Sequence, residues 1–150
     1  MVRDIEELAR LAVDCGFKIH KDLGPGLLES VHEAIMAASL ARLGVAVERQ
    51  KPIEIDYDGM ALGVGFRADL LLEGRLIIEI KSIEQLAPVH GKQLLTYLRL
   101  SKRPLGLLMN FGGATFREGV KRVVNNHTDF ASSRLRVNQI APNDVVDLGE

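Results

Sequence analysis

The stretch Arg67 to Lys81, RADLLLEGRLIIEIK, constrains this chain more than any other. Leu70-Leu71-Leu72 and Leu76-Ile77-Ile78 are apolar runs on either side of a Glu73-Gly74 turn signal. Such a pair predicts a hairpin whose strands are buried on both faces. Glu79 and Lys81 interrupt the second run at a spacing of two, so they point to one face of it. Asp69 lies one hairpin away. Charges in a strand of this kind need a partner or a task.

The loop decides whether these groups meet. A two-residue loop at Glu73-Gly74 pairs Asp69 with Ile78 and sends the two acids to opposite faces. A three-residue loop, Glu73-Gly74-Arg75, sets Asp69 opposite Glu79, as would a five-residue loop or a bulge. A site at this hairpin therefore requires an odd loop or a bulge.

Around the hairpin the periodicity changes twice. Ile5, Leu8, Ala12, Cys15 and Ile19 recur at steps of three and four, which predicts a helix over 4–20. Gly24-Pro25-Gly26 breaks it. A second helix is predicted from Leu27 to Leu43, stopping at Gly44, with Leu28, Val31, Ile35 and Ala38 among its apolar positions. Strands follow from Val45 to Ser82, with Asp58-Gly59 as a hairpin turn and the third strand over 75–83. Pro88 starts a helix to about Leu100. Leu105 to Asn110 reads as a short buried strand, and 116–124 as a further strand or a turn and strand. The order α-α-β-β-β-α-β-β is that of an α+β or mixed α/β domain, a sheet flanked by helices. Residues 126–150 read as an irregular tail or one added strand near Val137 to Ile140.

Composition narrows the function. The chain has 150 residues, 47% hydrophobic and 26% charged, enough for one domain with a proper core. The 19 Lys+Arg against 20 Asp+Glu give a net charge of -1, which argues against a uniformly basic nucleic-acid coat but leaves room for a local groove. Basic residues gather at Lys18-His20-Lys21, Arg49-Lys51, Arg99-Lys102-Arg103 and Arg117-Lys121-Arg122; each alone reads as a solvated face. There is no Trp, and aromatic residues make up 5%, so stacking platforms for single strands are scarce. No apolar run has the length of a membrane span. Met1 to Glu7 lacks the apolar core of a signal peptide. The one cysteine, Cys15, has no disulfide partner within the chain and sits on the apolar stripe of the first helix. A cytoplasmic setting is expected.

Two carboxylates brought together repel and raise each other's pKa unless a cation lies between them. Carboxylate oxygens suit Mg²⁺ or Mn²⁺, and the Ile80 carbonyl is a third candidate donor. Lys81 on the same face can hold or deprotonate an attacking water. The plain alternative is a cross-strand ion pair on a solvated sheet, or acids paired with Arg67 or Arg75; the apolar neighbours Leu76, Ile77, Ile78 and Ile80 count against a solvated strand. Glu29, in the first turn of the second helix, heads a stripe through His32, Met36, Leu40 and Leu43. It is a candidate metal or water ligand, or simply an acid favoured by the helix dipole; His32 is an accessory candidate or a packing residue. On the helix from Pro88, His90, Gln93 and Tyr97 share a face. Gln93 can orient a water or phosphate and Tyr97 can donate to a phosphate, against the plain reading of a polar outer face. Gly91, Leu94 and Leu98 face the core.

Asp69 followed by Glu79-Ile80-Lys81, between an acidic helix and a Gln93/Tyr97 helix, resembles the PD-(D/E)XK nuclease superfamily. Gly26-Leu27-Leu28-Glu29-Ser30-Val31-His32 more narrowly resembles the GxxExxY family of small bacterial and archaeal proteins. The likeness runs from about residue 16 to 124 through His20-Lys21, Gly24-Pro25-Gly26, Arg67-Ala68-Asp69, Pro88-Val89-His90, Gln93 to Tyr97 and Leu108-Met109-Asn110-Phe111. It implies a restriction-endonuclease-like domain over 1–125, with a central mixed sheet of about four strands between helices. It implies Asp69 and Glu79 as metal ligands, Lys81 as the residue positioning water, Glu29 as the acidic residue of the family's first core helix, and Gln93 and Tyr97 in support. His32 stands where the family name has Tyr, and Ala68 where the superfamily name has Pro.

The expected activity is Mg²⁺- or Mn²⁺-dependent hydrolysis of phosphodiester bonds, in DNA or alternatively RNA. The rival expectation is a catalytically idle module of the same fold that binds nucleic acid or a protein partner. A homodimer would place two sites on two strands.

Overall fold

Asp4 opens the first helix by accepting from the Glu7 N–H, while the Glu7 carboxylate takes the Asp4 N–H. This reciprocal cap starts α1, Ile5–Leu23, with Glu6 and Glu7 in its positive first turn. The computed structural model describes residues 2–126 and, as backbone, 145–147. α1 runs a turn beyond the expected end, to Gly24 at φ 70. α2 spans Glu29–Arg42, shorter than expected at its start because Leu28 is extended and acts as N-cap.

The strands are β1 Val47–Tyr57, β2 Met60–Leu72, β3 Leu76–Lys81, β4 Leu105–Asn110 and β5 Val120–Val124, with α3 Pro88–Ser101 between β3 and β4. A 3₁₀ turn at Arg117–Gly119 precedes β5. β6, Val145–Asp147, pairs with β5; the strand expected near Val137 to Ile140 lies outside the described residues. The sheet follows chain order from β1 to β6. β3 and β4 are parallel and joined through α3; every other pair is antiparallel. The sheet is mixed and flanked by helices, as the order of elements predicts. Five strands, extended by the short β6, exceed the four that the resemblance implies. Asp58 and Gly59 both take positive φ at the β1–β2 turn, the backbone that suits a two-residue hairpin loop.

Strand alternation divides the core in two. Leu70, Leu72, Leu76, Ile78, Ile80, Leu107 and Met109 face α1 and α2, against Leu8, Ala12, Ile19, Met36 and Leu40. Leu71, Ile77 and Leu108 face α3, against Leu94, Leu95 and Leu98. Glu79 and Lys81 share the α3 side by their spacing from Ile77. Cys15 is buried, as its stripe predicts.

The α2 burial corrects one expectation. Leu28 is 72% exposed, and Val31 and Ala38 also face out, whereas His32, Glu33, Met36, Ala37 and Leu40 are buried. Both stripes of this helix are largely apolar, so period alone does not choose between them.

His32 is a packing residue. Its ring is fully buried and stacked on Phe111, centroids 4.5 Å apart and 12° from parallel. Neither ring nitrogen has a hydrogen-bond partner. Burial, with His20 nearby adding a little, lowers its pKa below 6.5. The fold therefore binds the proton less well than the unfolded chain does. Its stabilising contribution is complete above pH 6.5 and declines as the pH falls toward the lowered folded value. His32→Phe is expected to flatten that acid limb in thermal melts from pH 7.5 to 5. It should also raise stability at pH 7 by about 1 kcal/mol, since unpartnered buried polar atoms are removed. An acid limb unchanged in the variant would refute this.

Candidate active site

The β2–β3 loop is Glu73-Gly74-Arg75. Leu72 pairs with Leu76, Leu71 with Ile77 and Leu70 with Ile78, so the loop holds three residues. Glu73 and Gly74 both take positive φ, 52° and 69°. The odd loop that a site demands is present, and the paired register ends at Leu70 and Ile78, the residues next to Asp69 and Glu79.

Beyond Leu70 and Ile78 the ladder passes to side chains. Asp69 Oδ2 accepts from the Ile80 N–H at 2.8 Å, and Glu79 Oε2 accepts from the Asp69 N–H at 3.2 Å. The two carboxylates thus reach across one strand gap, Glu79 to the Asp69 N–H and Asp69 to the Ile80 N–H. Neither pairs with the flanking arginines in the described contacts. Arg75 bonds Glu73 and the Arg3 carbonyl, and Arg67 reaches the Gln50 carbonyl. The structural alternative, acids neutralised by Arg67 or Arg75, therefore loses its geometry.

The electrostatics follow from the crowding. Burial, then the charge of Asp69, pushes the Glu79 carboxyl up to about 8, with Glu29 adding to the rise. The Asp69 N–H and Lys81 oppose the shift without cancelling it. Tyr97 is also raised, first by burial and then by Glu79 and Asp69. The charges of Asp69, Lys81 and Glu29 thus act on Glu79, and those of Glu79 and Asp69 on Tyr97. Tyr97 is half-buried, its ring stacked on Phe66 at 3.9 Å and 6°.

The other candidates divide. Glu29 is exposed in the first turn of α2, where the Ser82 hydroxyl ties the preceding loop to β3 by donating to the Leu27 carbonyl at 2.6 Å. Gln93 is exposed one helical turn before Tyr97. His90 is occupied at the helix start, where Nδ1 accepts from the Ala87 N–H at 2.9 Å. The Ile80 side chain is buried and its N–H is held by Asp69.

Two residues at the site, Glu33 and Gln50, escape a reading of the sequence. Glu33 is only 5% exposed; its carboxylate takes Arg49 Nε at 3.0 Å and Gln50 Nε2 at 2.8 Å. Gln50 Nε2 also donates to Asp69 Oδ1 at 3.0 Å. The signal available was Glu33 beside His32 on the inward stripe. Gln50 carries none, standing between Arg49 and Lys51 in what reads as a basic cluster.

The donor set fits a hard divalent cation. Two carboxylates with hard oxygens meet in a half-buried place that holds more negative charge than its neighbours offset. Among the described residues, no group of three or more His, Cys, Asp or Glu is gathered to hold a metal.

A profile of the PD-(D/E)XK nuclease superfamily matches residues 6–123. The chain belongs to this superfamily. PD-(D/E)XK proteins are generally nucleases and typically use divalent metals. The search of curated proteins found no match. Among solved structures, SSO0001 is similar at 16% identity, covering 79% of this chain and 78% of that one, with a TM-score of 0.42. In this PD-(D/E)XK protein no helix among the described residues is long and apolar enough to cross a membrane.

The raised Glu79 has a measurable signature. Between pH 4.5 and about 8 the folded chain binds a proton there that the unfolded chain releases. Glu79's contribution to stability is thus present below pH 4.5 and lost as the pH rises through about 8. Glu79→Gln is expected to remove this loss, so that its melting temperature exceeds the parent's at pH 8 by more than at pH 5. Mg²⁺ should raise the parent's melting temperature at pH 8 and leave the variant's nearly unmoved. Parallel pH profiles for the two proteins would refute the prediction.

Proposed function

We propose that the chain is a nuclease that hydrolyses phosphodiester bonds of DNA, or alternatively RNA, with Mg²⁺ or Mn²⁺ held by Asp69 and Glu79. The observation that supports this reading is the three-residue β2–β3 loop together with the cross-strand bonds of Asp69 and Glu79, with Lys81 two residues beyond Glu79 on the same strand. The narrower GxxExxY assignment, resting on Gly26, Glu29 and His32, is part of the same proposal.

Each residue has a task in it. Asp69 and Glu79 supply the metal-binding oxygens. When bound, such an ion supplies Lewis acidity to the phosphoryl oxygen. Lys81 orients the attacking water and offsets negative charge gathering on the phosphate. Hydrolysis forms one P–O bond to the water oxygen and breaks the P–O bond to the leaving nucleotide oxygen. The water proton ends on the leaving oxygen or in solvent. The Tyr97 hydroxyl donates to a phosphate oxygen, with Gln93 one turn earlier on the same helix. Glu29 faces the metal side as an outer acid holding water.

A second reading is favoured by the surface charge. Arg49, Lys18, Lys51, Lys102 and Arg122 all meet acids of this chain, and the net charge of -1 provides no uniformly basic coat to grip a duplex. A protein partner or a second copy would then supply the grip, or the module would bind without turnover. The test is to incubate the purified protein with Mg²⁺ or Mn²⁺ and with plasmid, linear duplex, single-stranded DNA or RNA. Metal-dependent cleavage supports the nuclease. Metal binding without cleavage of any substrate favours the binding module. No metal binding would overturn both the site and the roles given to it.

A further inference from the structure

We propose that Gln50 is the positioning residue for Asp69, anchored by the buried Glu33, and that it works because it is neutral. The inference rests on the metal-binding reading of Asp69 and extends it to residues of β1 and α2.

Gln50 stands opposite Asp69 in the β1–β2 register, between the pairs Arg49↔Leu70 and Lys51↔Ala68. Its backbone lies at φ 49, a left-handed conformation that side chains other than glycine rarely adopt. Such a conformation persists where its surroundings hold it, and it concentrates at working sites. Here the Arg67 guanidinium reaches the Gln50 carbonyl at 3.4 Å, and the side chain is held at its far end.

That far end carries the argument. A carboxamide nitrogen has two hydrogens. The nitrogen of Gln50 lies 2.8 Å from Glu33 Oε1 and 3.0 Å from Asp69 Oδ1, so both hydrogens have acceptors. Facing two carboxylates, the amide cannot be reversed, because its oxygen would then point at an anion. Glu33 is itself fixed, buried and bound through its other oxygen to Arg49 Nε at 3.0 Å. A rigid line therefore runs from α2 through Glu33 and Gln50 to Asp69. With Ile80 N–H on its other oxygen, Asp69 is held at both oxygens.

Neutrality is the point of the choice. Lysine at position 50 would satisfy the same two acids and add charge attraction to both. It would also cancel part of the charge that a divalent ion needs from Asp69. An amide orients the carboxylate and leaves its charge for the metal. Outer partners that orient a ligand in this way typically carry ten- to hundredfold in metal affinity.

Two substitutions separate positioning from structural support. Gln50→Gly relieves the left-handed backbone and removes both hydrogen bonds. Gln50→Lys keeps a donor between the acids and adds a positive charge. For parent, Gln50→Gly and Gln50→Lys, Mn²⁺ binding is read by calorimetry without substrate, and thermal melting is read without metal. The expected result is a melting temperature held or raised in both variants, with Mn²⁺ affinity lower by roughly tenfold or more in both. Parent-like affinity in both variants would overturn the positioning role and leave the metal site standing. Loss of cooperative melting in both would make Gln50 a structural tie and also overturn it. A parent that binds no Mn²⁺ would remove the metal-binding reading, and this inference with it, on the parent measurement alone.

Discussion

Lys81→Ala is expected to lower metal-dependent cleavage roughly 10²–10⁴-fold while Mn²⁺ still binds. Asp69→Ala is expected to abolish both. The difference follows from placement. Lys81 shares a face with Glu79 but lies beyond the pair of carboxylates that reach across the strand gap. Its charge lowers Glu79, so it competes with a cation for that carboxylate. Removing it leaves the metal-binding oxygens in place and lifts a repulsion, so affinity should hold or improve. What disappears is the group that orients water and answers the charge developing on phosphate, which raises the barrier by about 3–5 kcal/mol. Asp69→Ala takes away a ligand and also the acceptor for the Ile80 N–H. Asp69→Asn is the control, since its amide oxygen can still accept from Ile80 while its charge is gone. It should keep the parent's melting temperature more closely than Asp69→Ala and still fail to bind Mn²⁺. Calorimetry and a plasmid-nicking assay on the four proteins read both effects. Cleavage at the parent rate in Lys81→Ala and Asp69→Ala alike would mean the activity belongs to something else in the preparation.

The hairpin was legible because one count decides it. Given Asp69 and Glu79 in facing apolar strands, only an odd loop or a bulge brings them together, and Glu73-Gly74-Arg75 supplies the odd loop. The helices α1 and α3 were legible from their apolar steps, and α3 buries Gly91, Leu94 and Leu98 as those steps require. α2 was harder. Two apolar stripes run along it, and only the tertiary fold selects the one carrying His32, Met36 and Leu40. Tyr97 shares a face with His90 and Gln93, yet the three have separate surroundings. His90 caps its own helix, Gln93 is exposed, and Tyr97 stacks on Phe66 of a strand that α3 covers. Gln50 and Glu33 were not legible. Their importance comes from meeting Asp69, and that contact depends on β1–β2 register and a left-handed backbone that no local pattern announces.

Asn110→Ala is expected to destabilise the fold by about 3 kcal/mol, lowering the melting temperature by about 9 °C. Asn110 is 2% exposed at the end of β4, beside Lys81 in the parallel register. Its Oδ1 accepts from the Ile83 N–H at 2.9 Å and the Gly112 N–H at 3.1 Å, and its Nδ2 donates to the Ile83 carbonyl at 2.9 Å. One side chain thus satisfies three backbone groups where β3 and β4 both end. Each group left without a partner costs about 1–3 kcal/mol. Asn110 lines a cleft of about 670 Å³ with Gly112, Gly113 and Glu118, so water entering there offsets part of the loss. Asn110→Asp discriminates bonding from packing. Its carboxylate keeps the acceptor but turns an oxygen toward the Ile83 carbonyl, so it should be as unstable as Asn110→Ala at neutral pH. Once protonated, the same group regains a donor and should recover stability as the pH falls. Because the Ile83 turn directly follows Lys81, both variants should lose cleavage more than Mn²⁺ binding, with Lys81 displaced and Asp69 and Glu79 still fixed by the β2–β3 hairpin. An Asn110→Asp protein that melts with the parent at neutral pH would show that the three hydrogen bonds do not hold this turn.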